Sequence, residues 1–266
     1  MHHYLEKNQT SVFVCPYCKV RLRENDYSLK CLKCGKVFPI VEDIPDFLPK
    51  ELKPERRKMI KFVDRLSSIY ETPLWYPVVY YLYGGFFIPS VKKTVKTIID
   101  MLEVDGGLVL DVACGTGLFT RRIAKRVKQV YGFDISMGML RKAQKYVKKE
   151  GLKNIVFTRA EVENIPFPHE FFDGVLCCGA LHLFPDVIRA LKEMNRVLKK
   201  NCKLAVMTFI KRRFLGIKRV YKHLEKEHGA HVFDLNELED YLKSSGYTEF
   251  KYNIHGSIIL FEAKKI

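Results

Sequence analysis

The sequence predicts an α/β protein with a mostly parallel sheet, preceded by a small cysteine-rich module. Three observations support this fold class. Beyond about residue 90, short apolar runs of strand length alternate with stretches in which apolar residues recur at helical spacing. The turn "CGTG" joins one such strand directly to a helix. Four cysteines near the start stand as two C-x-x-C pairs.

Composition restricts the class of protein further. The 266 residues are 47% hydrophobic and 29% charged, which indicates a globular chain and excludes a disordered one. The net charge of +16 permits binding to nucleic acid or anionic lipid, but a solvated lysine-rich surface explains it equally well. The first residues lack the apolar core of a signal peptide, and no run suits a membrane span. We therefore expect a cytoplasmic protein.

The cysteines lie in "CPYCKVRLRENDYSLKCLKC", at Cys15, Cys18, Cys31 and Cys34. Two C-x-x-C turns supply the four thiolates that a tetrahedral zinc ion needs. Disulfides are rare in the cytosol, and a redox pair normally opens a helix, whereas "KVRLREN" alternates like a strand. The pattern resembles a zinc ribbon. We expect a closed, structural Zn²⁺ site that holds together a module of residues 1–50.

Residues 51–89 form a connecting segment between this module and the α/β part. The segment is charged and predicted to be helical after Pro54, and it then becomes aromatic in "PLWYPVVYYLYGGFFIP". Aromatic side chains offer large contact areas with a polar tip. Tyr70 and Tyr76 are therefore candidates for lining an acceptor site. The alternative is a helical hairpin that only packs on the next domain, and both interpretations remain open.

The α/β part begins with a helix and a strand. Ser90 is a predicted N-cap, and an apolar stripe follows at Val91, Val95, Ile98, Ile99 and Leu102. The run "LVLDVA" reads as a buried parallel strand that contains Asp111. In the turn that follows, Gly115 and Gly117 let a ligand approach the backbone closely. The helix "LFTRRIAKRV" comes next.

A second strand, "QVYGFDIS", contains Asp134, an acidic residue about 20 positions after the first strand. In dinucleotide folds, a carboxylate at this place accepts hydrogen bonds from a ribose diol. Further along, Pro185 is predicted to open a helix, and "CKLAVMTFI" to form a strand. Asp234 is predicted to cap a last helix that ends at Gly246. A closing hairpin turns at residues 255–256.

The motifs resemble those of class I S-adenosylmethionine-dependent methyltransferases over residues 90–266. "DVACGTG" resembles their D/E-x-x-x-G-x-G motif, and it lacks the third glycine of the dinucleotide fingerprint. "RAEVENIPFPHEFFDGVLCCGALHLFPD" resembles the next block of the family. The chain is most similar to the broad group that includes the quinone-ring methyltransferases. The resemblance implies a Rossmann-like, mostly parallel seven-stranded sheet with helices on both faces, and S-adenosylmethionine as methyl donor.

The resemblance also implies which residues form the donor site. Those around the methionine part of the donor are Asp111, Ala113, Cys114, Gly115 and Gly117. Those at the ribose and adenine are Asp134, Ile135, Met139, Glu161 and Val162. Cys178 would lie near the methyl group. His182 matches the first histidine of the family's L-H-H and is the candidate general base. Leu183 replaces the second histidine, which favours a structural role for His182.

The sequence leaves the methyl acceptor open. We favour a small, partly apolar molecule, because the quinone-ring methyltransferases act on such compounds. The alternative is ribosomal or transfer RNA, held by the ribbon and by a basic helix face that includes Arg141 and Lys145. Residues 1–50 also resemble ribbons that precede some methyltransferases, including a family of ribosomal RNA guanine methyltransferases. A third alternative is a non-catalytic donor-binding protein whose ribbon docks a protein partner.

Overall fold

The structure, a computed structural model, describes residues 10–49, 51–52, 54–72, 75, 89–211 and 230–266. Its helices within these ranges are α1 (Pro54–Leu66), α2 (Val91–Met101), α3 (Leu118–Ile123), α4 (Met137–Glu150), α5 (Val187–Val197) and α6 (Leu235–Ser244). The first four strands are β1 (Leu22–Asn25), β2 (Ser28–Cys31), β3 (Val37–Val41) and β4 (Ile44–Pro45). The others are β5 (Leu108–Val112), β6 (Gln129–Asp134), β7 (Ile155–Arg159), β8 (Phe172–Cys178), β9 (Leu198–Phe209), β10 (Tyr247–His255) and β11 (Ile258–Lys265).

The α/β part is built on a seven-stranded sheet with the order β10-β11-β9-β8-β5-β6-β7. Strands β5 to β9 pair in parallel, and β11 runs antiparallel between β9 and β10. The predicted fold class is therefore confirmed. Glycine-rich and polar turns leave the carboxyl ends of β5, β6 and β8 at one edge of the sheet, which is where open α/β sheets bind ligands.

Helices cover both faces of the sheet, because successive strand residues point to opposite sides. Val109 packs into a core with Ile98 and Ile123 from α2 and α3. Its neighbour Leu110 belongs to a second core, shared with Leu191 of α5. Burial on both faces explains why β5 reads as a nearly continuous apolar run.

The predicted helix boundaries are partly correct. Ser90 caps α2 by accepting from the amide of Lys93, and Asp234 forms a capping box at α6. Pro185, however, does not open α5. Asp186 is the N-cap, because its carboxylate accepts from the Arg189 amide at 2.9 Å, and the helix begins one residue later.

Helix α3 is shorter than the sequence predicts. It ends at Ile123, whereas the apolar spacing extends to Val127. The amide side chain of Asn154 donates to the carbonyls of Ala124 (2.7 Å) and Val127 (3.0 Å). These bonds satisfy the carbonyls of a tight turn that a longer helix would have used itself.

The N-terminal strands form a four-stranded antiparallel sheet that packs directly against the edge strand β7. Asp46 forms a bridge with Arg159, and the amide of Phe47 donates to the Arg159 carbonyl at 2.8 Å. The ring of Phe13 packs in tilted contacts against those of Phe47 and Phe167, with centroids 5.3 and 5.1 Å apart. Aromatic burial of this kind fixes the module on the sheet. No helix in the described ranges is long and apolar enough to cross a membrane.

Candidate functional site

Two buried carboxylates stand at the carboxyl ends of neighbouring strands. Asp111 of β5 is 1% exposed, and Asp134 of β6 is 5% exposed. Thr120 donates its hydroxyl to Asp111 at 2.5 Å. Burial, with the charge of Asp134 acting in the same direction, raises the pKa of Asp111 to about 7. Neither carboxylate forms an ion pair with another described residue, and two buried charges of the same sign are costly to the fold, which is typical of a ligand site.

Asp134 ties the second strand to the glycine-rich turn. One of its oxygens accepts from the Gly115 amide at 2.9 Å, and the other accepts from the Ser136 amide at 2.8 Å. Burial raises its pKa to about 6 despite these two bonds, and the nearby Asp64 carboxylate acts in the same direction. A carboxylate oxygen has more than one acceptor site, so Asp134 can still accept from hydroxyl groups of a ligand.

The turn between β5 and α3 has an unusual backbone. Ala113, Gly115 and Gly117 all adopt left-handed conformations, with φ of 53°, 54° and 78°. For Ala113 this is a strained conformation, of the kind that persists at ligand sites. Among the residues that the structure describes, a Cβ atom added at Gly115 would meet only the ring of Tyr70, 3.9 Å away. The turn therefore leaves room for a ligand against its backbone.

The residues predicted to lie beside an adenine cluster at the ends of β6 and β7. Met139 and Val162 are buried, and Ile135 follows Asp134 directly. The Arg159 guanidinium donates to the Ile135 carbonyl at 2.9 Å. Glu161 does not stand alone, because Arg56 of α1 forms an ion pair with it. Arg56 also pairs with Glu163, at 2.7 Å.

The residues after β8 are enclosed. His182 is 6% exposed, its Nδ1 lies 3.4 Å from the Thr208 hydroxyl, and its ring meets Phe209 edge-on at 4.6 Å. Burial lowers the pKa of His182 to about 3, so the ring stays neutral and is poorly suited to accept a proton. Burial also raises the pKa of the Cys177 and Cys178 thiols, which disfavours a nucleophilic thiolate.

Residues 64–71 of the connecting segment lie over the glycine-rich turn, through polar contacts that the sequence analysis did not predict. Lys142 of α4 donates to the carbonyls of Ser67 (2.6 Å) and Tyr70 (2.8 Å). Glu71 pairs with the buried Arg121 at 2.7 Å and also accepts from Thr116 within the turn. We call residues 64–71 the strap.

A second anchor of the strap lies at the start of α4, where Asp64 accepts from the Ser136 hydroxyl and from the Gly138 amide. A carboxylate at a helix N-terminus is favoured by the helix dipole and by the free amides there. Tyr70 packs against Trp75 with ring centroids 4.9 Å apart. Tyr76, the other tyrosine proposed for an acceptor site, lies outside the described residues.

The four N-terminal cysteines converge. The sulfur atoms of Cys15, Cys18, Cys31 and Cys34 all lie within 4.8 Å of one another, and none forms a disulfide. The Cys15 and Cys34 sulfurs are 3.8 Å apart. Sulfurs bound at ~2.3 Å to a tetrahedral zinc ion are separated by roughly the same distance.

The two C-x-x-C turns also share one backbone geometry. The amide of Lys19 donates to the Cys15 carbonyl at 2.8 Å, and the amide of Gly35 donates to the Cys31 carbonyl at 2.9 Å. Both donors are in the left-handed region, with φ of 55° and 72°. The donor set thus fits one metal ion, with the ligands contributed in two similar halves.

Comparisons with known proteins agree with this geometry. Residues 110–206 match a family described as a methyltransferase domain. An uncharacterized chloroplastic methyltransferase of Arabidopsis thaliana is 28% identical, over 98% of this chain and 80% of its own length. A demethylmenaquinone methyltransferase of Lactococcus lactis is 30% identical, over 60% of this chain and 73% of its own.

A solved structure gives the same result at the level of the fold. Phosphoethanolamine N-methyltransferase 2 of Haemonchus contortus, in complex with S-adenosylmethionine, superposes with a TM-score of 0.64. The alignment covers 83% of this chain and 61% of that one at 17% identity, so it supports the fold alone. Together with the sequence relatives, the glycine-rich turn and its two carboxylates lead to one conclusion. This chain belongs to the class I S-adenosylmethionine-dependent methyltransferases and is an enzyme that transfers a methyl group from that donor.

Proposed function

We propose that the enzyme methylates a small, partly apolar molecule. The observation that carries this proposal is the similarity to demethylmenaquinone methyltransferases, which by name act on a quinone-type compound. The structure supports it with the aromatic pair Tyr70 and Trp75, which lies next to the glycine-rich turn. An apolar ring can pack against such side chains.

We propose the donor-binding roles that the family resemblance implies, and the positions of the residues support them. Asp134 accepts from the ribose hydroxyls while its bonds to the turn hold it in place. Gly115 and Gly117 leave space for the methionine part, beside Ala113, Cys114 and Asp111. Ile135, Met139 and Val162 line the adenine, and Glu161, oriented by Arg56, accepts from the adenine amino group. When bound, the donor supplies an electrophilic methyl group on its sulfonium, so the protein mainly aligns the acceptor with it and excludes water.

We further propose that Cys15, Cys18, Cys31 and Cys34 hold one structural Zn²⁺ ion. The separations of their sulfurs support a closed, four-thiolate site, with no open position for catalysis. Residues 1–50 then form a zinc-ribbon module, residues 51–89 a connecting segment, and residues 90–266 the methyltransferase domain. The last part of the module is held on β7 by an ion pair between Asp46 Oδ2 and Arg159 Nη1, 3.1 Å apart. The ribbon thereby braces the strand that leads to Glu161.

The contacts of α4 weaken the RNA alternative. Arg141 belongs to the basic face that we considered for phosphate binding, but it donates two bonds of 2.8 Å to Glu42 of the ribbon. Gln144 donates to the backbone carbonyl of the same residue at 3.1 Å. Part of this helix face is therefore occupied by the protein itself.

A labelled-donor assay tests the proposed acceptor class. Purified enzyme is incubated with methyl-labelled S-adenosylmethionine and, separately, with a small-molecule extract and a protein-free RNA fraction from the same cells. We expect the label in the small-molecule fraction only. Label in RNA alone would contradict the proposal. The Asp134→Ala variant is the control for transfer that depends on the donor site.

A further inference from the structure

A cavity of about 370 Å³ lies at the start of α5 and α6, outside the donor site. Its walls combine the apolar residues Phe184, Pro185, Val187 and Ile188 with the polar residues Asp186, His231 and Tyr241. The wall residues 184–188 follow the carboxyl end of β8, which is at Cys178. Residues 230–233 run beside the end of β9, since Ile210 bridges to Phe233 and the His231 amide donates to the His182 carbonyl at 2.6 Å. The cavity is thus at the ligand-binding edge of the sheet.

One wall of the cavity carries a histidine–carboxylate pair. The Nε2 atom of His231 lies 2.8 Å from Oε1 of Glu237, and the Tyr241 hydroxyl donates to the same oxygen at 2.9 Å. The other oxygen of Glu237 accepts from the Asp234 amide at 3.2 Å as part of the capping box of α6. The rigid helix start therefore fixes the carboxylate, and the carboxylate fixes the imidazole.

This arrangement prepares His231 to accept a proton. Burial opposes ionisation of Glu237, but bonds from Asp234, Tyr241 and His231 lower the pKa of its carboxyl overall. An ionised Glu237 accepts Nε2–H and so selects the tautomer whose Nδ1 has a free lone pair. The side chain of His231 is 40% exposed, in contrast to the enclosed His182. Orientation of a histidine by a carboxylate is the arrangement used by general bases.

We propose that this cavity binds an ionisable hydroxyl of the methyl acceptor and that His231 is the general base that deprotonates it. Phe184, Val187 and Ile188 then pack against the ring that carries the hydroxyl, and Tyr241 and Glu237 are positioning residues. This inference rests on the proposed function, because it requires a small acceptor. It assigns the base to His231, in place of His182.

The chemistry balances without a further reactant. Nδ1 of His231 takes the hydroxyl proton, and the electron pair of the oxyanion, delocalised onto a ring carbon, forms the new bond to the methyl carbon. The methyl–sulfur bond breaks and its electron pair stays on sulfur. The proton of the methylated carbon then leaves to water, and the hydroxyl regains its proton from His231. The net release is one proton per methyl transferred.

The test uses the full-length enzyme, labelled S-adenosylmethionine, and as acceptors 1,4-dihydroxynaphthalene and the small-molecule extract. The glutamine in His231→Gln has a side-chain N–H that can donate to Glu237, but its amide cannot act as a base at neutral pH. The control is His169→Gln, which changes an exposed histidine away from the cavity. Calorimetric affinity for S-adenosylhomocysteine and the thermal midpoint report on the donor site and the fold of each variant.

We expect His231→Gln to lower kcat roughly 100-fold with unchanged S-adenosylhomocysteine affinity. Glu237→Gln should lower kcat as well, because the His231 tautomer with a proton on Nε2 is then no longer selected by a carboxylate.

The outcomes separate the two proposals. If a small molecule is methylated and His231→Gln retains the wild-type rate, the assignment of His231 is overturned while the proposed function stands. If only RNA is labelled, or if no fraction is labelled, the proposed function fails and the inference fails with it. Loss of S-adenosylhomocysteine binding in His231→Gln would also overturn the assignment, because the residue would then support the donor site.

Discussion

Replacing Asp111 by asparagine should make the enzyme more stable while weakening its binding of the donor. The carboxyl group is 1% exposed, and it accepts a hydrogen bond from the Thr120 hydroxyl at 2.5 Å. Asparagine has the same shape, and its carbonyl can accept the same hydrogen bond. The substitution therefore removes mainly the buried charge.

The magnitude follows from the pKa of Asp111, which burial raises from an ordinary 3.8 to about 7. Each pKa unit corresponds to ~1.4 kcal/mol, so the ionised group costs the folded state about 4 kcal/mol. The folded state binds the proton more tightly than the unfolded state does. The cost is therefore absent below pH 4, grows between pH 4 and pH 7, and is complete above pH 7.

Urea unfolding monitored by circular dichroism at pH 4.5, 6 and 8 measures the difference between Asp111→Asn and the wild type. The free energy of unfolding of the variant should exceed that of the wild type only slightly at pH 4.5, and by up to about 4 kcal/mol at pH 8. Its affinity for S-adenosylhomocysteine should fall in parallel calorimetry. A stability difference that does not change with pH, or a variant that is less stable at pH 8, would refute the reasoning.

Three further predictions concern the ribbon and the strap. Cys15→Ser should lower the zinc content from about one ion per chain to almost none, and elemental analysis measures this; an unchanged content would contradict the metal site. Glu71→Gln should lower the free energy of unfolding in urea by about 1–3 kcal/mol, because it leaves the buried Arg121 with one carboxylate fewer. The control Glu239→Gln, at an exposed ion pair, should lower it by less than ~0.5 kcal/mol. Equal costs would argue against the strap. Arg159→Gln should weaken S-adenosylhomocysteine binding several-fold without loss of zinc, because the Ile135 carbonyl loses the hydrogen bond that Arg159 donates to it. Unchanged affinity would contradict a role of Arg159 in positioning Ile135.

The fold and the glycine-rich turn could be predicted because their signals are local. The apolar run of β5, the two glycines and the second strand ending in Asp134 lie within a few turns of chain, and each has a short-range physical cause. The cysteine cluster could be predicted for the same reason, because each C-x-x-C turn brings two thiol groups together within four residues.

The strap could not be predicted, because its contacts join residues far apart in sequence. Asp64 meets Gly138, and Lys142 meets the carbonyl of Tyr70, through charged side chains with no periodic pattern. In the sequence these residues look like an ordinary solvated helix face. Their role depends on how α1 packs over α4, which is decided by the tertiary structure.

The contrast between His182 and His231 has the same origin. His182 stands in a motif and attracted the catalytic assignment, but its surroundings come from β9, where Thr208 and Phe209 enclose it. His231 has no motif, and only the start of α6 brings Glu237 to its ring. A short signal exists in hindsight, because a histidine precedes the capping box by three residues.

The central claim is that the glycine-rich turn and Asp134 form the site for S-adenosylmethionine. Isothermal titration of S-adenosylhomocysteine into the wild type and Asp134→Ala tests it most directly. Circular dichroism and the thermal midpoint verify that the variant is folded, and Asp134→Asn keeps one acceptor for the turn. We predict one site per wild-type chain and no measurable binding by folded Asp134→Ala. Equal affinity in the two proteins would contradict the assignment of the donor site.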